Sequence, residues 1–205
     1  QIEADLIEIV NYAILNKARL YFLGDLFDYW MEFPRSNYLP PIGENLLEAL
    51  RIYMQKVGSV LFITGNHDNW TLGYFSSLGF DVEQDFRIIE LSNTQTFLMH
   101  GDGLMNGKGT LTRPLVHQLL RNKNFLTLYR AIFRNGLGLG LMRLFSNFTR
   151  SFERVNPVRL STNAHWILEH LPVQTVICGH DHIPRTEKTD SGLYINTGAF
   201  FQHKT

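Results

Sequence analysis

The sequence predicts an α/β layered domain on three observations. Hydrophobic periodicity switches repeatedly between helical spacing and short continuous apolar runs, the links are short, and a cluster of Gly, Asp, Asn and His follows four of the apolar runs. Composition agrees: 205 residues that are 44% hydrophobic and 19% charged can bury a sizeable core, which excludes disorder and collagen-like repeats. With 19 Lys+Arg against 19 Asp+Glu, the balance argues against a general polyanion binder, and no nucleic-acid partner is expected. One cysteine, Cys178, excludes an internal disulfide framework and a thiolate-rich zinc site, which favours a cytoplasmic setting. No uncharged apolar stretch reaches 18 residues, so no transmembrane helix is expected.

From Ile2 to about Lys17, Ile2, Leu6, Ile9, Val10, Ala13 and Ile14 recur at three- and four-residue spacing and predict a helix. Leu20–Leu23, closed by Gly24, reads as a buried strand. After a loop punctuated by Pro34, Pro40 and Pro41, Leu46, Leu47, Leu50, Tyr53, Met54 and Val57 restore the helical period. Val60–Ile63 is the second buried strand, and further strands are expected at Phe86–Leu91, Thr96–Met99, Thr175–Cys178 and Leu193–Asn196. Residues 110–159 read as a helical lid inserted into a core of residues 1–109 and 160–205, with Gly136, Gly138 and Gly140 marking a break, since each glycine costs a helix about 1 kcal/mol relative to Ala.

The four polar clusters are Gly24-Asp25-Leu26-Phe27-Asp28, Gly65-Asn66-His67-Asp68, His100-Gly101-Asp102-Gly103 and Gly179-His180-Asp181-His182. Each follows a strand, and the carboxyl ends of neighbouring strands share one edge of a sheet, so the clusters are expected to converge. Carboxylate, amide oxygen and imidazole suit Mn, Fe, Zn or Mg. Glycine beside the ligands lets the backbone turn sharply and approach an ion. A pair of ions about 3.5–4 Å apart polarises a phosphoryl group and steadies both attacking and leaving oxygens, so the expected reaction is metal-assisted hydrolysis of a phosphate ester or anhydride. Taken singly, Asp25 and Asp28 would suit an Asx turn, Asn66 a turn and His100 a core histidine. His180 and His182, two apart after a strand, resist a purely structural account. His117, His165, His170 and His203 have no such context and read as surface or packing residues.

GDLFD, GNHD, HGDG and GHDH, in that order, resemble the calcineurin-like metallophosphoesterases, which implies a four-layer α/β/β/α sandwich over two divalent metal ions, Mn²⁺ foremost, with Fe, Zn or Mg as alternatives. LGDLFDYW, HGDGL and the apolar, basic insertion further resemble the UDP-2,3-diacylglucosamine pyrophosphohydrolase family of lipid A biosynthesis. The resemblance implies that Asp25 bridges the metals, that Asn66, His100 and His180 complete one and that His182 serves the other. It gives His67 the scissile phosphoryl group and lets Asp28 orient that histidine. The attacking oxygen is implied to come from water. Two departures stand out. The family's first strand carries an Asp-x-His pair that nothing here supplies, so a further N-terminal segment is expected in the whole protein. Many of the pyrophosphohydrolases also carry Arg where His67 stands. Two rival functions follow: a phosphodiesterase or phosphatase of the same superfamily acting on soluble nucleotides, and a non-catalytic scaffold with a degraded metal site.

Between Leu104 and Leu168 ten basic residues face one acidic residue, Glu153, whereas the rest of the chain holds nine basic and eighteen acidic ones. Interleaved Leu and Phe make this segment a candidate for enclosing acyl chains or resting on the anionic cytoplasmic face of the inner membrane as a peripheral protein. The alternative is that the apolar residues pack and the arginines form a solvated face. Ser146, Asn147 and Arg150 are the candidate substrate contacts in the lid.

Overall fold

The computed structural model describes residues 1–28, 30–32, 43–102, 111, 113, 115–133, 137, 138, 140, 141 and 157–200. The helical spacing near the start forms α1 (Ile2–Asn16), which buries Val10 and Ala13 and ends at Lys17 in a left-handed conformation. A three-residue strand, β1 (Tyr21–Leu23), follows, and then α2 (Glu44–Lys56) burying Leu46, Ala49, Leu50 and Tyr53. Glu3 reaches across to accept from the Leu46 N–H at 3.1 Å, so α1 satisfies an orphan donor in the first turn of α2. The Tyr53 hydroxyl accepts from Leu20 N–H and donates to Ala18 O, pinning the entry to β1. β2 (Leu61–Ile63), α3 (Tyr74–Leu78) and β3 (Asp81–Glu83) complete the first half. The three strands are parallel, in the order β1-β2-β3.

β4 (Phe86–Leu91) and β5 (Thr94–Met99) form a hairpin whose turn residues, Ser92 and Asn93, both have positive φ, as a tight two-residue turn requires. The second sheet runs β4-β5-β6-β8-β7, where β6 is Thr175–Cys178, β7 Arg185–Thr189 and β8 Gly192–Asn196. α4 (Leu115–Arg121) and α5 (Lys123–Ile132) lie in the expected insertion, with the Asn122 side chain capping α5 through the N–H groups of Asn124 and Phe125. α6 (Pro157–His170) runs through the expected 159/160 boundary.

Strand alternation sorts the side chains into four layers. Phe22 and Phe62 face α1 and α2 and join Leu50, Tyr53, Phe75 and Phe80. Tyr21, Leu23, Leu61 and Ile63 point the other way and meet Ile89, Leu98 and Ile177 of the second sheet. Phe97, Met99, Val176, Cys178 and Tyr194 face α6 through Leu160, Ala164, Ile167 and Leu168. This is the α/β/β/α arrangement that the resemblance implies. β3 and β7 escape the sequence reading for a physical reason: both are edge strands, one only three residues long and the other a run of Arg, Thr, Glu, Lys and Thr, the polar patterning that keeps an exposed edge from pairing further.

Candidate metal centre

The four clusters do converge, but from two sheets. Those after β1 and β2 come from the first sheet and those after β5 and β6 from the second, so the site lies where the carboxyl ends of both sheets meet. Asp25, His100 and His180 each offer a ligand atom, all within 4.8 Å of one another. His100 is 2% exposed and its Nδ1–H donates to Leu23 O at 2.7 Å, which fixes the tautomer and directs Nε2 into the cluster. That Nε2 lies 3.3 Å from Asp25 Oδ2, 3.2 Å from Asn66 Oδ1 and 3.1 Å from His180 Nδ1.

Asp25, His100 and His180 atoms gathered this closely, with Asn66 Oδ1 beside them, fit a divalent cation of the oxygen- and imidazole-binding kind. Burial opposes a positive charge on His100, but Asp25 outweighs it and pushes His100 up to about 9. Burial likewise opposes the charge on Asp25, yet His100 and His67 hold its carboxyl well below the usual range. Asp25 at φ 54°, His180 at φ 73° and His182 at φ 62° all adopt left-handed backbone conformations, a concentration of strain at one place. A Cβ on Gly65 would overlap Asp25 Oδ1, and one on Gly24 would overlap the His100 ring, so glycine here serves close packing of the ligand loops.

His67 Nδ1 sits 2.6 Å from the Asp28 carbonyl oxygen and 3.3 Å from its carboxylate, so orientation by Asp28 comes first through the main chain. The His67 N–H donates to Asp25 Oδ1 at 2.9 Å, and its Nε2 stands 3.9 Å from Asp25 Oδ2. His182 follows two residues after His180 and is half-buried, outside the three-residue group that gathers Asp25, His100 and His180. Ser146, Asn147 and Arg150 lie outside the described residues, as do His203 and the side chain of His117.

Three groups that organise the centre carry no role in the sequence reading. Asp68, fully buried, accepts from the N–H groups of Asp25, Leu26, Phe27 and Gly65 and so ties the first two clusters together; burial and then the charge of Asp25 push its carboxyl up to about 6. Asn196 donates from Nδ2 to Gly179 O at 2.9 Å and accepts from Gly198 N–H, bracing the loop that carries His180. Asp102 pairs with Arg113 at 2.9 Å and with Arg121 at 2.7 Å, and although burial would raise its carboxyl, the two guanidinium groups hold it well below the usual range. Arg121 also donates to the main chain of Thr64, Gly65 and Gln84.

In α4 and α5 the solvated arginine face is not what the described residues form. Arg113, Arg121 and Arg130 turn inward onto the body, whereas Leu115, Leu119, Leu128 and Ile132 are exposed on the outside of α4 and α5. Buried carboxylates and main-chain carbonyls bind arginine more strongly than water does when geometry is good. Leu120, Phe125, Leu126 and Tyr129 do pack, against Met31 and Trp70.

The family model for calcineurin-like phosphoesterases matches residues 2–184, and the chain belongs to that family. Among curated relatives, a UDP-2,3-diacylglucosamine hydrolase of Porphyromonas gingivalis is 32% identical over 120 residues, covering 55% of this chain and 42% of that protein. A protein of the same name from Pseudomonas syringae pv. tomato is 24% identical over 185 residues, covering 84% of this chain and 69% of its own. The chain thus spans less than half the length of the first relative and about two thirds of the second. A solved protein of unknown function from Aquifex aeolicus is 17% identical with a TM-score of 0.43, covering 96% of this chain and 77% of its own. Among the described residues no helix is long and apolar enough to cross a membrane.

Proposed function

We propose that this chain carries the catalytic core of a divalent-metal-dependent phosphoester hydrolase whose substrate is UDP-2,3-diacylglucosamine, cleaved at its diphosphate to UMP and 2,3-diacylglucosamine 1-phosphate. The observation that carries the hydrolase reading is the gathering of Asp25, His100 and His180 donor atoms with Asn66 Oδ1 beside them. These four residues would hold one ion and Asp25 with His182 part of a second, Mn²⁺ being the expected metal. A divalent ion bound there would supply a Lewis acid that draws charge from phosphoryl oxygens and eases ionisation of water.

The protein's own part is positional. His67, with Nδ1–H committed to Asp28 O, presents Nε2 toward the cluster. When that nitrogen is protonated it donates to a phosphoryl or leaving oxygen, where charge develops. Asp68 holds the loops so that Asp25 and His67 keep their spacing.

The acylated substrate is supported by the names of the relatives and by the exposed Leu115, Leu119, Leu128 and Ile132 of α4 and α5, which suit acyl chains or the cytoplasmic face of the inner membrane. Residues 110–159 would be the lid and the remainder the core. The test is turnover by the whole protein with Mn²⁺ on an acylated UDP-sugar, an unacylated UDP-sugar and a cyclic nucleotide. The expected result is release of UMP from the first, with His67→Ala lowering kcat by roughly 10²–10³-fold. Cleavage of the cyclic nucleotide while the acylated sugar stays intact would overturn the substrate.

A further inference from the structure

Arg130, in α5, is 8% exposed, yet none of its three guanidinium nitrogens has a hydrogen-bond partner among the described residues. Its guanidinium carbon lies 5.9 Å from the centre of the Trp70 ring, and Trp70 packs with Met31 and Leu126. The neighbouring buried carboxylate, Glu32, is already committed: it accepts from the Trp30 indole N–H and from the main-chain N–H groups of Leu72 and Tyr74, and it forms no ion pair with Arg130. Burial draws the guanidinium down to about 10, with Glu32 partly opposing, which leaves it charged at neutral pH. A buried, charged, planar fork of N–H donors without a hydrogen-bond acceptor is the arrangement that binds an oxyanion through two parallel hydrogen bonds.

Its position links it to the centre. Trp70 lies three residues beyond His67, and the His67 carbonyl accepts from Trp30 N–H at 2.9 Å. Just ahead of α5, Arg121 holds α4 to Gly65 and Asp102. Arg130 therefore lies against Trp70, in the same loop as His67.

We propose that Arg130 is an oxyanion-binding residue that receives a phosphoryl group other than the one under attack, either borne by the substrate or as free inorganic phosphate. The inference rests on the phosphoester reading and names a residue for the substrate's remaining charge.

The experiment compares wild type with Arg130→Met, a side chain of similar length that fills the apolar shelf, by thermal melting of the whole protein in EDTA with inorganic phosphate or UDP. Melting uses neither metal nor turnover, so its failure is separate from failure of the hydrolase reading. Expected is a saturable rise in Tm for wild type and an apparent Kd at least tenfold weaker in R130M, with R130M melting no lower than wild type without ligand. A response to phosphate supports binding of the free anion, and a response to UDP alone supports a substrate-borne group. The same response in both proteins, or none in either, would overturn the proposal.

Discussion

Asp68 accepts from four main-chain N–H groups, three in the loop after β1 and one in the loop after β2. Asp68→Ala orphans all four inside the protein, where each unmet donor costs on the order of 1–3 kcal/mol, partly relieved by relaxation. The expected outcome is a loss of about 3 kcal/mol in urea unfolding together with a 10–100-fold weaker Mn²⁺ affinity, the size of effect that outer partners exert on ligands. Stability and affinity both unchanged would mean that the loops hold their shape without it. Its place in Gly65-Asn66-His67-Asp68 was legible in the sequence, and its role was not, because main-chain N–H groups are the same at every residue and three of its four donors lie in the other cluster. The convergence was more legible: the side chains of Asp25, Asn66, His100 and His180, singled out by residue type as candidate ligands, do meet.

At the scale of elements, strands rich in apolar residues were readable as apolar runs, and β3 and β7 were not, because Asp-Val-Glu is too short and Arg-Thr-Glu-Lys-Thr too polar to form one. The side-chain directions in the insertion were not legible either. A sequence lists ten basic residues without saying which have buried acceptors, and Asp102 and the main chain of Thr64, Gly65 and Gln84 turn out to claim Arg113 and Arg121. α4 is therefore fastened to the ends of β2, β3 and β5. Arg121→Met leaves Asp102 with one guanidinium partner and is expected to cost roughly 3 kcal/mol in urea unfolding. A loss below about 1 kcal/mol would show that the pair does not hold α4 in solution.

Over the whole molecule, two sheets pack face to face through Leu61, Ile63 and Leu98, and that packing brings Asp25 and Asn66 from one sheet against His100 and His180 from the other. The centre exists only in the folded sandwich, so binding of a cation there stabilises the fold by mass action. The most direct test is titration of Mn²⁺ into EDTA-stripped whole protein, compared with His100→Ala, followed by calorimetry. A saturable site in wild type that weakens at least tenfold in H100A is expected. Equal Mn²⁺ binding by both proteins would contradict the metal centre.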